Sequence, residues 1–229
     1  MIQKYGFKPN KLLGQNFLID KAVLEKILAA ADLSKKDTVL EIGPGLGQLT
    51  FDIAARAKDV VAVEFDRKLF AILNDFFKDF KNIRLVHQDF LKSDLRELVP
   101  ADKKVKVISN LPYNISTPVI LKLLEHKGRV EYALLTLQKE VADRLTAEPN
   151  SKAYGSLTLF AYFHSEIKKL FCIKKNSFYP VPQVDSTVIM LKPRTESPVK
   201  VNDEDVLLGL IKAGFSSRRK TLVNALSAK

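Results

Sequence analysis

The sequence predicts an α/β protein built on a doubly wound, seven-stranded and mostly parallel sheet, followed by a short helical segment. Three observations carry this. Apolar runs rich in β-branched residues recur along the chain and alternate with stretches of helical period, as in strand–helix–strand units. A glycine-rich turn, Gly43 to Gly47, joins the first of those runs to the helix after it. The last two runs, Ile167 to Ile173 and Ser186 to Leu191, have no clear helix between them, which points to an antiparallel addition at the sheet edge.

The elements follow in order. Asp20 is placed to cap a helix on which Val23, Leu24, Ile27, Leu28 and Ala31 share a face. A turn at Ser34 to Asp37 leads into a buried strand, Thr38 to Ile42, and Leu49 to Ala57 then packs back on the sheet. Val60 to Glu64, Ile83 to Val86, Val105 to Ser109 and Ala133 to Leu137 are the next strands. Helices are expected around Leu69 to Phe76, Pro118 to Leu124 and Val141 to Ala147, with Pro118 after Thr117 as a favoured helix start. Lys103-Lys104-Val105-Lys106 reads as a solvated turn ahead of a strand. Two prolines among polar residues, Lys192 to Pro198, mark a boundary that divides the chain into residues 1–192 and 193–229.

Composition narrows the partners. In 229 residues, 37 Lys and Arg against 26 Asp and Glu give a formal charge of +11. Such a charge favours a polyanion through counterion release, although a basic surface alone is the plainer reading. Cys172 is the sole cysteine, so neither an internal disulfide nor a Cys-based zinc site can form within one chain, and a reducing compartment is expected. His87, His126 and His164 lack metal-ligand spacing, and no metal is assigned. Residues 1–16 are polar and no stretch approaches a membrane span, so a cytoplasmic protein that does not engage a membrane is expected.

Asn110-Leu111-Pro112-Tyr113 carries the most chemistry. An Asn side-chain oxygen and a Leu111 or Pro112 carbonyl can accept both N–H bonds of an exocyclic amine, while the Tyr113 face stacks on the attached base. Phe178 is the natural second jaw, with core filling as the alternative for both rings. The Gly43 to Gly47 turn lets backbone pass close to a ligand. Gln48 stands where a dinucleotide fingerprint needs its third glycine, which speaks against a nicotinamide oxidoreductase. Glu64, nineteen residues past Gly45, can accept the two hydroxyls of a ribose. Asp89 can accept from an adenine amino group, with Phe90 as an apolar wall. Singly these acids are more often structural. At the ends of consecutive strands they share the carboxyl edge of the sheet, where ligands bind in this architecture.

These residues carry a resemblance. Leu13-Gly14-Gln15-Asn16-Phe17-Leu18, Glu41 to Gly47, Asn110 to Pro118, Gln138 to Leu145 and Phe178 to Ser186 resemble, in order and almost end to end, motifs of the small-subunit ribosomal-RNA adenine N6-dimethyltransferases. The resemblance implies a Rossmann-like methyltransferase fold with S-adenosylmethionine as methyl donor. It implies Gln15, Asn16 and Leu18 near the methionine end of the donor, Gly43 and Gly45 along its path, Glu64 at the ribose, and Asp89 with Phe90 at the adenine. Asn110, Leu111, Pro112, Tyr113 and Phe178 then form the catalytic set, with Asn110 also touching the donor. The implied substrate is a pair of adjacent adenosines near the 3′ end of 16S rRNA, the implied partner the small ribosomal subunit, and the expected state a monomer.

Phe215 to Leu222 also resembles the family, with Arg218, Arg219 and Lys220 as phosphate ligands. On this reading residues 1–192 are the donor-binding catalytic domain and 193–229 the start of a helical RNA-binding domain. Relatives continue past the position of Lys229, so the expectation is normal donor binding with weakened handling of the ribosomal substrate. Two alternatives remain: a large-subunit rRNA adenine methyltransferase, and a noncatalytic assembly factor on the same fold.

Overall fold

The computed structural model describes residues 6–10, 13–99, 103–217 and 221–227. Its main sheet has seven strands: β2 (Thr38–Ile42), β3 (Asp59–Glu64), β4 (Ile83–His87), β5 (Val105–Asn110), β6 (Val130–Gln138), β7 (Ser165–Ile173) and β9 (Ser186–Pro193). Their spatial order is β4-β3-β2-β5-β6-β9-β7. The first five run parallel, and β9 pairs antiparallel with both β6 and β7. The sequence-predicted edge addition is therefore present, with β9 inserted between β6 and the edge strand β7. Two further strands, β1 (Phe17–Leu18) and β8 (Phe178–Tyr179), form a separate antiparallel pair.

The parallel strands read as unbroken apolar runs because both faces are covered. Side chains alternate along β2, so Leu40 and Ile42 enter one core cluster with Val107, Leu135 and Ile189. Val39 enters the opposite cluster with Ile108, Leu134 and Val188. The second cluster is covered by α1 (Lys21–Ala31) and α2 (Gln48–Arg56), and α3 (Arg67–Phe77) packs against β3 and β4. The first is covered by α4 (Leu95–Leu98), α5 (Ser116–Glu125), α6 (Lys139–Leu145) and α7 (Ser156–His164). The chain leaves β2 toward β3 and β4 and then crosses to β5 on the other side. Strand order thus reverses between β2 and β5, and a crevice opens there at the carboxyl ends.

Caps define several helix starts. Asp20 Oδ1 accepts from the backbone N–H groups of Ala22 and Val23 at the head of α1, and Asp66 Oδ1 does the same for Lys68 and Leu69 at the head of α3. α5 opens at Ser116, two residues before Pro118, which still lies in the first turn where its missing N–H has no intrahelical use. Lys103 to Lys106 departs from the solvated turn expected. β5 begins at Val105, and Lys106 is buried because its Nζ donates to Asp37 Oδ2 at 3.0 Å and to the Asp32 carbonyl at 3.1 Å. Past β9, α8 (Glu204–Gly214) packs against α7 and against α9 (Leu222–Leu226).

Candidate active site

One cavity occupies the crevice. Its walls are the segment before β1, the ends of β2 through β5 and the turns that follow them, so the sequence-predicted groups converge there: Gln15, Asn16 and Leu18; Gly43 and Gly45; Glu64; Asp89 and Phe90; Asn110 and Pro112. The donor-loop end and the Asn110 end open onto the same space.

The glycine turn is shaped by what stands against it. Gly45 lies at φ +59°, and a Cβ there would meet Phe17 Cδ1 at 2.9 Å. Gly43, at φ +69°, would meet Pro112 Cδ at 3.3 Å. Only glycine lets the turn approach both the N-terminal segment and the Asn-Leu-Pro-Tyr motif this closely. Gln15 fastens that N-terminal segment: Nε2 donates to Asp66 Oδ2 at 2.9 Å, while Oε1 accepts from Asn10 N–H at 2.7 Å.

Glu64 ends β3 and points into the cavity. Its Oε1 accepts from Asp66 N–H at 2.7 Å and its Oε2 from Gly45 N–H at 3.4 Å, yet burial outweighs these bonds and raises its carboxyl to about 7. Glu41, in mid-β2, is 1% exposed and also lines the cavity. Burial first, and repulsion from Glu64, push it to about 8 against a partial offset from the Thr50 hydroxyl; its Oε2 has no hydrogen-bond partner. Two carboxyls with raised pKa in one cleft are the electrostatic mark of a site prepared for donors or positive charge.

Asp89 stands just past β4, where its Oδ1 accepts from Leu91 N–H at 3.0 Å and caps a 3-10 turn, Phe90–Lys92. Phe90 is buried with one face toward Lys122, whose Nζ lies 5.5 Å from the ring centre. Asn110 closes β5. Its Nδ2 donates to the Asn16 carbonyl at 3.1 Å, which orients the amide and leaves Oδ1 buried with no partner. A buried acceptor without a donor is costly unless a ligand completes it.

Tyr113 is half-buried on the far side of Asn110, its hydroxyl 2.7 Å from Ser186 Oγ; the ring does not line the cavity. Leu111 is buried in the core, its N–H donating to the Thr136 carbonyl at 3.3 Å. Phe178 departs from the open jaw expected of it. It is 1% exposed, packed in the cluster of Leu18, Leu24 and Val188, because the β1–β8 pairing sets it directly opposite Leu18. Arg218, Arg219 and Lys220 lie outside the described residues. Sequence reasoning assigned no role to Glu41, Asp66 or Phe17; only Glu41 carried a visible signal, a charge in the middle of an otherwise apolar strand.

The residues present fit S-adenosylmethionine. Glu64 suits ribose hydroxyls, Asp89 an amino group, Phe90 an adenine face, and the acidic interior a sulfonium with its ammonium group. The chain matches, over residues 6–229, the family model described as ribosomal RNA adenine dimethylase. It is 44% identical over 228 residues to a ribosomal RNA small subunit methyltransferase A of Clostridium botulinum, covering 100% of this chain and 83% of that protein. With the like-named protein of Listeria innocua it shares 45% identity over 234 residues, covering 100% and 79%. Among solved structures, a dimethyladenosine transferase from Plasmodium falciparum superposes with a TM-score of 0.78 at 30% identity, covering 92% of this chain and 74% of that one. The 23S rRNA methyltransferase ErmE gives 0.75 at 27%, covering 93% and 84%.

Proposed function

The chain belongs to the ribosomal RNA adenine dimethylase family, and we propose that its cleft dimethylates N6 of two adjacent adenosines near the 3′ end of small-subunit rRNA, with S-adenosylmethionine as donor. The observation that carries this reading is the buried, partnerless Oδ1 of Asn110, which lines the same cavity as Glu64 and Gly45.

When bound, the donor supplies a methyl group activated on a sulfonium sulfur. Asn110 Oδ1 accepts one N–H of the adenine amine, and a neighbouring carbonyl takes the other. The Pro112 carbonyl already accepts from Ile115 N–H at 3.2 Å and Ser116 Oγ at 3.1 Å, which favours Leu111 as that second acceptor. Held by both hydrogens, the nitrogen turns its lone pair toward the donor, and positioning supplies most of the rate. The amine proton becomes acidic only as the new bond forms and passes to water, so no side-chain base is required beside Asn110. Tyr113 stacks on the extruded base, while Phe178 acts from beneath by fixing Leu18 in the donor wall. The helices from Glu204 onward, with Arg218, Arg219 and Lys220, are read as the start of an RNA-binding region. The protein works as a cytoplasmic monomer on the small subunit.

Nucleoside mass spectrometry on undermethylated small subunits, and in parallel on unmethylated large-subunit rRNA, each incubated with protein and donor, tests this. The expected product is N6,N6-dimethyladenosine in small-subunit rRNA. Methylation confined to large-subunit rRNA, or RNA binding with no methyl transfer, would overturn it in favour of one or the other alternative. The higher identity to small-subunit relatives than to ErmE supports the first outcome.

A further inference from the structure

The segment between β8 and β9 is not used by the donor chemistry, yet its two ends contact residues around the cleft. At its start, Tyr179 pairs with Phe17 and Phe178 with Leu18, both of which line the donor cavity. At its end, Ser186 Oγ holds the Tyr113 hydroxyl. Asp185 ties the return, accepting from Lys174 Nζ at 3.1 Å and Lys175 N–H at 3.0 Å. The segment therefore connects the wall that faces the methyl donor with the ring expected to stack on the acceptor base.

Its surface is unusual for a solvent-facing turn. Tyr179 is 47% exposed, Val181 57% and Val184 43%, with Ile19 at 46% beside them, bonded to Ser177 through its backbone. Apolar side chains clustered this way mark a binding surface. The rim around them is cationic: Lys174, Lys175, Lys139 and Lys169, with Asp143, Asp185 and Glu140 as the local acids. The lysines are exposed and their carboxylate partners half-buried at the surface, so these pairs hold the cations only weakly and a phosphate can compete for them. Flat apolar surface beside cations is the pattern that binds single-stranded nucleic acid. Extruding one adenosine into the notch leaves the next base without its stacking neighbour, so a platform at this distance meets a need the reaction itself creates.

We propose that residues 174–184 form the track for the RNA strand next to the target adenosine: Tyr179 stacks on the adjacent base, Val181 and Val184 line its apolar edge, and Lys174 and Lys175 hold its phosphates. This rests on the RNA methylation reading above.

The test compares wild type, Tyr179→Ala, Tyr179→Phe and the double variant Lys174→Ala/Lys175→Ala, using undermethylated small subunits for kinetics and a single-stranded RNA oligonucleotide for fluorescence anisotropy. Tyr179→Ala should raise KM for RNA about tenfold with kcat and donor Kd unchanged, and Tyr179→Phe should restore wild-type values. The double lysine variant should lower the slope of log KM against log salt by about 1.4. Wild-type KM and salt slope in every variant would overturn the track, as would loss of donor affinity in Tyr179→Ala, which would place Tyr179 behind Phe17 instead. An inactive wild type whose RNA affinity still falls tenfold in Tyr179→Ala overturns the reaction but keeps the track; if that affinity is unchanged, both fall.

Discussion

The two edges of the central sheet treat buried polar groups in opposite ways. At the amino edge, Lys106 sits 3.0 Å from Asp37 Oδ2 and 3.1 Å from the Asp32 carbonyl, over the ring of Tyr132, whose own hydroxyl bonds the Ala31 carbonyl. The Lys106 charge is answered there, and the result fastens the end of α1 to the strands. At the carboxyl edge, Glu41 Oε2 and Asn110 Oδ1 are equally hidden from water and have no partner. Unsatisfied groups of this kind destabilise a fold, and Glu41 and Asn110 both line one cavity, which marks it as a place where a ligand completes the protein.

The contrast can be broken most sharply at Asn110. Asn110→Ala should lower kcat for methylation by about 100-fold or more while the melting temperature stays near wild type, a pattern that a merely structural amide would reverse. At the other edge the effects should exchange places: Lys106→Met strands the Asp37 charge and should cost about 3 kcal/mol in denaturant unfolding, with donor affinity unchanged.

Glu64 sharpens the comparison next. Near pH 7 its carboxyl, raised to about 7 by burial, is partly protonated, and the two ribose hydroxyls favour the ionised form, which accepts at both oxygens. Donor binding should therefore release a fraction of a proton, seen by calorimetry in buffers of different ionisation heat. Glu64→Gln should abolish that release and weaken binding about tenfold. Glu41 carries the contrast into the pH dependence of stability. A carboxyl raised from 4.5 to about 8 binds more protons folded than unfolded, so its contribution to stability is full below 4.5 and is lost as pH rises to about 8. Thermal unfolding between pH 5 and 8 should show that decline, and Glu41→Gln should flatten it; an unaltered slope would mean Glu41 is not buried as described.

Much of this architecture is legible in the sequence because parallel strands covered on both faces appear as continuous apolar runs, and because Asp20, Gly43 and Pro118 punctuate them. What escaped has identifiable causes. β1 and β8 are two residues each, too short to show any period, and only their mutual pairing makes them strands. α7 escaped because Leu157, Leu159, Phe160, Ala161, Tyr162 and Phe163 make it apolar nearly all round, leaving no polar face to reveal a helical repeat. Lys106 was read with its charged neighbours, whereas its partners lie in the turn before β2. The cleft was partly legible in the same sense: Gly45, Glu64 and Asp89 fall at strand ends, while the Gln15–Asp66 contact that fastens the N-terminal wall joins distant parts of the chain. Phe178 shows the limit, since its motif suggests an open aromatic face and its packing conceals it.

The small β1–β8 ladder has a consequence for biosynthesis. Phe17 and Leu18 are translated early in this α/β unit, but the strand that holds them against the donor pocket follows only after the seventh helix and the sheet's edge strand. A growing polypeptide thus lacks one wall of its cofactor chamber until nearly the whole α/β unit has emerged, so affinity for the methyl donor should appear abruptly once the eighth strand is out.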